Sequence, residues 1–248
     1  MHSKRIALVT GGIGGIGTAV CIELVKHDRS VIAGHLPEEE EIAELWQSEL
    51  KADGYEIELS AGDVSDYESS GRMVEHINQH FGTIEILVNC AGITRDASLV
   101  KMDPEDWTAV INTNLNGVFN VTRQIIPGMM AVGFGRIVNI SSVNGQKGQY
   151  GQTNYSAAKA GMHGFTMALA QEGARKGVTV NSVSPGYVET RMTAAVNKDI
   201  LNAIIKTIPM GRLATTKEIA QAVGFLCLDE TRYVTGVNLP VNGGLYMG

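Results

Sequence analysis

The sequence predicts a single α/β domain, residues 1–248, built on a seven-stranded parallel sheet covered by helices on both faces. Three observations predict it. Short β-branched apolar runs alternate with longer amphipathic ones along the whole chain. A glycine-rich turn joins the first apolar run to the first amphipathic one. The chain's 248 residues, 44% of them hydrophobic and 29 of them glycine, suffice for one large core, and no linker, low-complexity tract or internal repeat divides them.

The strand candidates, in order, are RIALVT, SVIAG, EIELSAGDV, ILVNCAG, RIVNISS, VTVNSVSPG and GVNLPVNGG. They are short and apolar on both alternating faces, as strands buried from two sides must be. Between them TAVCIELVKHD, PEEEEIAELWQSELKAD, YESSGRMVEHINQHF, PEDWTAVINTNLNGVFNVTRQIIPGMM, NYSAAKAGMHGFTMALAQEGARK and TKEIAQAVGFLCL carry helical patterns. Ligands of such sheets bind beyond the carboxyl ends of the strands, so the residues just after each strand are the candidate site.

Composition excludes several classes of function. A net charge of −6 without a basic run of the needed density argues against nucleic acid and anionic membranes. Cys21, Cys90 and Cys227 stand apart, with no CxxC and no histidine at ligand spacing, so neither a disulfide framework nor a metal site is expected, and the thiols suit a reducing cytoplasm. No stretch approaches the length of a membrane span, and MHSKRIALVTGG enters a strand without an apolar leader. A soluble, unexported protein with a small-molecule partner is expected.

Residues 10–17, TGGIGGIG, place Gly11, Gly15 and Gly17 between a strand and a helix. Glycine there permits the sharp turn and lets a pyrophosphate approach main-chain N–H groups at the positive end of the helix. Asp63 and Val64 follow the third strand, where a carboxylate can accept a bond from an adenine amino group, and Asn89 to Gly92 follow the fourth. In SSVNGQKGQYGQTNYSAAK, residues 141–159, Tyr155 and Lys159 are four apart and share a helix face, with Ser142 at the far end of the preceding loop. That spacing brings a hydroxyl, a phenol and an ammonium to one point.

With TGGIGGIG, NCAG, Asn114, Ser142 and Tyr155-x-x-x-Lys159 in this order, the chain resembles the short-chain dehydrogenase/reductase family over its whole length. The resemblance implies a Rossmann-type doubly wound sheet, a nicotinamide cofactor, and a catalytic tetrad of Asn114, Ser142, Tyr155 and Lys159. It extends the expected cofactor contacts to Gly11, Ile13, Gly15, Ile16, Gly17, His35, Gly62, Asp63, Val64, Asn89, Ala91, Gly92, Tyr155, Lys159, Pro185, Gly186, Val188 and Thr190. One departure from the family pattern is Cys90, where the usual NNAG has its second asparagine.

The chemistry needs these residue types. Ketone reduction delivers hydride to carbon and a proton to the developing alkoxide, and a phenol with an ordinary pKa near 10 is a reluctant participant at neutral pH. Lys159, together with the positive nicotinamide of the oxidised cofactor, is expected to lower the Tyr155 pKa, Ser142 to hold the carbonyl oxygen, and Asn114 to anchor a water that returns the proton through Lys159.

The end of the second strand, AGHLPEEEE, has His35 where NAD-dependent relatives usually carry aspartate. Glu38 to Glu41 follow, and no basic residue lies between Arg29 and Lys51 to meet a 2′-phosphate. NADH is therefore favoured and NADPH remains possible; the acids also suit a helix start after Pro37.

Within the family, ITRD and the 141–156 stretch resemble the acetoacetyl-CoA reductases of polyhydroxybutyrate synthesis, with the 3-oxoacyl-carrier-protein reductases second. That resemblance implies a short 3-oxoacyl thioester, acetoacetyl-CoA or similar, contacted by Asp96, Ser142, Gln149, Tyr150, Gln152, Tyr155, Gly186 and Tyr187, and an (R)-3-hydroxyacyl product. The glutamines can equally cap loop backbone. Small residues at Ala157, Ala160, Gly161, Gly164 and Ala168 permit either a homotetramer or packing within the chain.

Overall fold

A computed structural model describes residues 4–190, 193 and 197–248. Seven parallel strands form one sheet, as expected, and their order is β3-β2-β1-β4-β5-β6-β7. They are β1 (Ile6–Thr10), β2 (Ser30–His35), β3 (Glu58–Ala61), β4 (Ile84–Asn89), β5 (Gly135–Ile140), β6 (Val178–Pro185) and β7 (Asn238–Val241). The helices are α1 (Gly15–Lys26), α2 (Glu40–Ala52), α3 (Tyr67–His80), α4 (Pro104–Ile111), α5 (Gly117–Val132), the single turn α6 (Asn144–Lys147), α7 (Thr153–Gly173), α8 (Lys198–Thr207) and α9 (Thr216–Leu226).

Alternation along β1 shows why the sheet is sandwiched. Ala7 and Val9 face one core with Val20, Leu24, Ile219 and Val223 of α1 and α9. Ile6 and Leu8 face the other, with Met73, Ile77, Val121 and Ile125 of α3 and α5. Strand order reverses direction at β1 and β4, paired from Thr10↔Asn89 downward, and the loops leaving these two strands therefore diverge to opposite sides. A crevice opens between them at that end of the sheet.

Two features differ from the sequence reading. The long pattern PEDWTAVINTNLNGVFNVTRQIIPGMM is not one helix: α4 and α5 are separated by a π-helical turn, Asn112–Asn116. Such a turn keeps the chain helical while widening it locally, so the whole segment reads as one helical pattern. α8 lies in a segment read as connection, although Ile200, Leu201, Ile204 and Ile205 have helical spacing and the Asn197 side chain caps the first turn.

At the amino-terminal end of the strands, Arg5 and Arg29 both pair with Asp229, at 2.6 and 2.8 Å, and Arg5 also meets Glu85 at 2.5 Å. Arg136 is buried beside them, giving its donors to the carbonyls of Leu228 and Asp229. The guanidiniums of Arg5 and Arg136 lie over the Phe134 ring, 3.4 and 4.2 Å from its centroid. This clasp ties β1, β4 and β5 to the chain after α9, away from the crevice.

Candidate active site

The floor of the crevice is built by the glycine loop. Gly11 has φ +61, and a β-carbon on it would stand 2.9 Å from Ala91 Cα. One on Gly17 would stand 2.1 Å from the Gly11 carbonyl oxygen, so the loop closes on α1 only without a side chain there. Gly15 is less crowded. It opens α1 facing Thr190, whose methyl would lie 3.4 Å from an added β-carbon.

The residues present fit a dinucleotide. α1 begins with no side-chain cap and no acid in its first turn, which leaves its N–H groups and positive end for a phosphate. Beside it Thr10, Val64, Asn89, Ala91 and Gly117 line a shallow crevice. Asp63 uses Oδ1 to accept from the Ser65 N–H and hydroxyl, both at 2.8 Å. Gly62 donates its N–H to the His35 carbonyl at 2.8 Å, joining the loops after β2 and β3.

His35 is buried at the end of β2. Its Nδ1 donates to the Leu36 carbonyl at 2.9 Å, while Nε2 has no hydrogen-bond partner and stands 3.7 Å from Glu40. Glu39 caps the Leu36 N–H at 3.1 Å, so the acid run does serve as a helix start.

The NCAG stretch works through its main chain. Thr10 Oγ1 accepts from the N–H groups of Cys90 and Ala91 at 3.1 and 3.2 Å. The Asn89 side chain turns into the interior and donates to Asn139 and Thr122, and Asn139 in turn donates to Thr166. Burial pushes the Cys90 thiol up to about 11 against the pull of Lys159, so it stays protonated at neutral pH.

Asn114, fully buried in the π turn, accepts the Ile93 N–H and donates to the Ile93 carbonyl, each at 2.8 Å. Both ends of its amide thus hold the loop after β4. Gly92 sits against this pair: a β-carbon there would stand 2.9 Å from Asn114 Oδ1 and 3.5 Å from Lys159 Nζ.

Ser142, Tyr155 and Lys159 converge from the end of β5 and the first turns of α7. Lys159 is buried, donates to the Ile140 carbonyl at 2.7 Å, and holds its ammonium 5.5 Å from the Tyr155 ring centroid. Burial lowers its pKa to about 8. Tyr155 is pushed the other way, up to about 12, by burial; a hydrogen bond with Ser142 opposes the rise, and the Asp96 charge adds to it. Desolvation dominates the phenol, and the lysine, itself desolvated, spends its shortest hydrogen bond on Ile140.

After β6, Gly186 packs on Asn242, where a β-carbon would meet Cα at 2.9 Å, while Val188 is buried and the Thr190 N–H is capped by Thr193 Oγ1 at 2.9 Å. Pro185 closes β6 and gives its carbonyl to the Val143 N–H at 2.8 Å, which joins this loop to the Ser142 turn. A model of the short chain dehydrogenase family matches residues 5–201.

The chain belongs to the short-chain dehydrogenase family. It is accordingly an oxidoreductase that uses a nicotinamide cofactor. It is 62% identical to the acetoacetyl-CoA reductase of Allochromatium vinosum, over 98% of this chain and 99% of that one. To the acetoacetyl-CoA reductase of Cupriavidus necator it is 52% identical, over 99% and 100% of the two chains. To the 3-oxoacyl-[acyl-carrier-protein] reductase of Pseudomonas aeruginosa the identity is 47%, over 98% of each.

The residues expected to meet substrate lie in the loops that follow β4, β5 and β6. Tyr150 is 88% exposed at the rim, and Gln149 accepts from Lys147 at 3.3 Å. Tyr187 follows β6, and burial and the Asp96 charge raise its pKa. Gln152 and Asp96 are joined to one another, at 2.8 Å.

Several residues in this dehydrogenase escaped the sequence reading. Thr10 organises NCAG from the neighbouring strand. Gly145 lets the turn after Ser142 lie on α7, where a β-carbon would come 2.8 Å from the Lys159 main chain. Ser141 donates to the Lys159 carbonyl at 2.9 Å and contacts His163 Nε2 at 2.8 Å. Gly145 and His163 stood in the quoted stretches, but only their packing partners reveal their work.

Proposed function

We propose that the chain reduces a short 3-oxoacyl-CoA, acetoacetyl-CoA foremost, to the (R)-3-hydroxyacyl-CoA with NADH, in polyhydroxybutyrate synthesis. The convergence of Ser142, Tyr155 and Lys159 beside the dinucleotide crevice carries this reading, and the likeness to two acetoacetyl-CoA reductases over nearly the full chain supports the choice of thioester. A cytoplasmic homotetramer belongs to the same proposal: Ala157, Ala160, Gly164, Met167 and Ala168 leave an exposed face on α7, whereas Gly161 is spent on Leu115 within the chain.

The bound nicotinamide supplies the hydride. Gly11 to Gly17 and the start of α1 would hold its pyrophosphate, with Asp63, Val64, Ala91, Gly92, Val188 and Thr190 along its length. Ser142 orients the substrate carbonyl by donating to its oxygen. Tyr155, which burial keeps as a neutral phenol, then gives its Oη proton to that oxygen as negative charge develops. A raised pKa suits this direction, because the donor must carry its proton before the step. Lys159, still cationic near neutrality, faces the resulting phenolate and favours it. Gln149, Tyr150 and Tyr187 would border the acyl and pantetheine portion.

The end of β2 supports NADH. Glu40 lies 3.7 Å from His35 and further acids follow, so a ribose 2′-phosphate would meet like charge. The test is kcat/KM for acetoacetyl-CoA and its carrier-protein equivalent with each cofactor. The reading expects preference for the CoA thioester and for NADH. A carrier-protein preference would assign the chain to the other reductase class, and an NADPH advantage would remove the argument from Glu40.

A further inference from the structure

Behind the reacting groups, α7 meets β5 and β6 through a row of polar side chains. Ser141, the residue between β5 and Ser142, is buried, and its Oγ lies 2.9 Å from the Lys159 carbonyl oxygen and 2.8 Å from His163 Nε2. Ser184 of β6, also buried, comes to 3.3 Å from the same nitrogen and to 2.7 Å from Asn238 Oδ1 of β7, which the Ser182 hydroxyl reaches at 3.1 Å. His163 stands one helical turn beyond Lys159 and two beyond Tyr155.

One hydrogen per hydroxyl fixes the donors. The Lys159 carbonyl and Asn238 Oδ1 only accept, so Ser141 and Ser184 place their hydrogens on these oxygens; turned the other way, each would set two bare oxygens facing at hydrogen-bond distance. His163 Nε2 therefore carries a hydrogen and donates it toward Ser141 and Ser184. Burial and the Lys159 charge hold the His163 pKa below its ordinary value, so near neutral pH this is the only hydrogen on the ring nitrogens.

Stability alone does not call for such a row. Apolar groups of the same shape would pack a helix on a sheet equally well, whereas hydroxyls and a ring that satisfy one another impose a single geometry. The geometry imposed here lies between the reacting groups, because Ser141 is joined by the chain to Ser142 and by its hydrogen to the main chain of Lys159.

We propose that His163 is a positioning residue for the reaction, acting through Ser141: its Nε2–H turns the Ser141 hydroxyl onto the Lys159 carbonyl and so fixes the separation of Ser142 from Lys159 and Tyr155. This rests on the reductase reading above.

The test is steady-state kinetics with NADH and acetoacetyl-CoA, beside NADH affinity and melting temperature, for the wild type, His163→Leu, His163→Gln, Ser141→Ala and the His163→Leu/Ser141→Ala double variant. Leucine removes the donor at similar bulk, and glutamine returns an N–H at about the reach of Nε2. His163→Leu and Ser141→Ala should lower kcat by about tenfold or more with KM and NADH affinity within about threefold, while His163→Gln keeps kcat within about threefold of wild type. The double variant should fall no further than the worse single one, because both break the same contact. An unchanged kcat in His163→Leu would overturn the proposal whatever the melting temperature does, as would a loss carried by KM, a glutamine variant as slow as the leucine one, or additive losses. Should Ser141→Ala not fold, the contrast between the two single His163 variants decides. A wild type that reduces neither acetoacetyl-CoA nor its carrier-protein equivalent removes the reductase reading and this inference with it, whereas an active wild type with an equally active His163→Leu removes this inference alone.

Discussion

Lys159 stands over the ring of Tyr155, its ammonium 5.5 Å from the centroid, and donates to the carbonyl of Ile140 at 2.7 Å rather than to the phenol. The two groups are displaced in opposite directions, Lys159 down to about 8 and Tyr155 up to about 12, chiefly by the same burial. Each displacement favours the neutral form of its group. Near neutral pH the pair is nonetheless a cation and a phenol, the combination a proton donor to a carbonyl requires.

Removing the phenol separates chemistry from binding. Tyr155→Phe keeps the ring and its packing and deletes the transferable proton, so turnover should fall by about 1,000-fold or more while NADH affinity stays within a few-fold. Cofactor fluorescence titration beside initial rates checks this; turnover near the wild-type rate would remove Tyr155 from the reaction.

The displaced lysine has a signature in stability. Between the folded value near 8 and the ordinary value of about 10.4, the unfolded chain binds more protons at this residue than the folded one, so its contribution makes stability rise with pH across that window. Tyr155 has the opposite sign: its contribution is fully present below about 10 and is lost as pH rises toward about 12. Lys159→Met should abolish the rise between pH 8 and 10, seen as a wild-type minus variant difference in urea unfolding that changes with pH. A difference flat across that range would show that Lys159 is not desolvated.

Glycine positions should divide sharply. Gly17→Ala forces a β-carbon to 2.1 Å from the Gly11 carbonyl oxygen and should cost at least about 1–3 kcal/mol and most of the NADH affinity. Gly14→Ala meets only that oxygen, at 3.3 Å, and should retain fold and binding. Melting curves with and without NADH distinguish them, and equal behaviour of the two variants would contradict the loop geometry.

Far from the crevice, Asp229→Asn should weaken the Arg5–Arg29 clasp. The paired arginines hold this carboxyl below its usual value, so its contribution is present above about pH 4 and fades as pH falls through the lowered folded value. Partial exposure screens the pair, and a loss of about 1 kcal/mol at pH 7 is expected. The wild-type minus variant difference in unfolding should be larger at pH 7 than at pH 3, with kcat at pH 7 unaffected.

Much of this was legible beforehand, and for physical reasons. The seven strands announce themselves because a sheet covered on both faces needs runs that are apolar throughout, and Tyr155 and Lys159 do so because four residues make one helical turn. The π turn at Asn114 was hidden, since such a turn keeps the chain helical and has no residue signature of its own. The contacts of His163 with Ser141 and Ser184 were hidden for another reason: they are made by tertiary packing of a helix on two strands, which no local period encodes. The part burial plays at Tyr155 was not legible, because a spacing reports which charge is near but not how much water has been removed.

The bond from Thr10 to the main chain of Cys90 and Ala91 alters what the NCAG motif is. Its second letter contributes a peptide N–H, which every residue except proline possesses, so the spelling at position 90 is free to drift. The constrained letter is on the adjacent strand, eighty positions earlier. The motif is better regarded as one word written in two places, Thr10 and residues 89–92, that becomes readable only when the register of β1 on β4 lays the halves side by side.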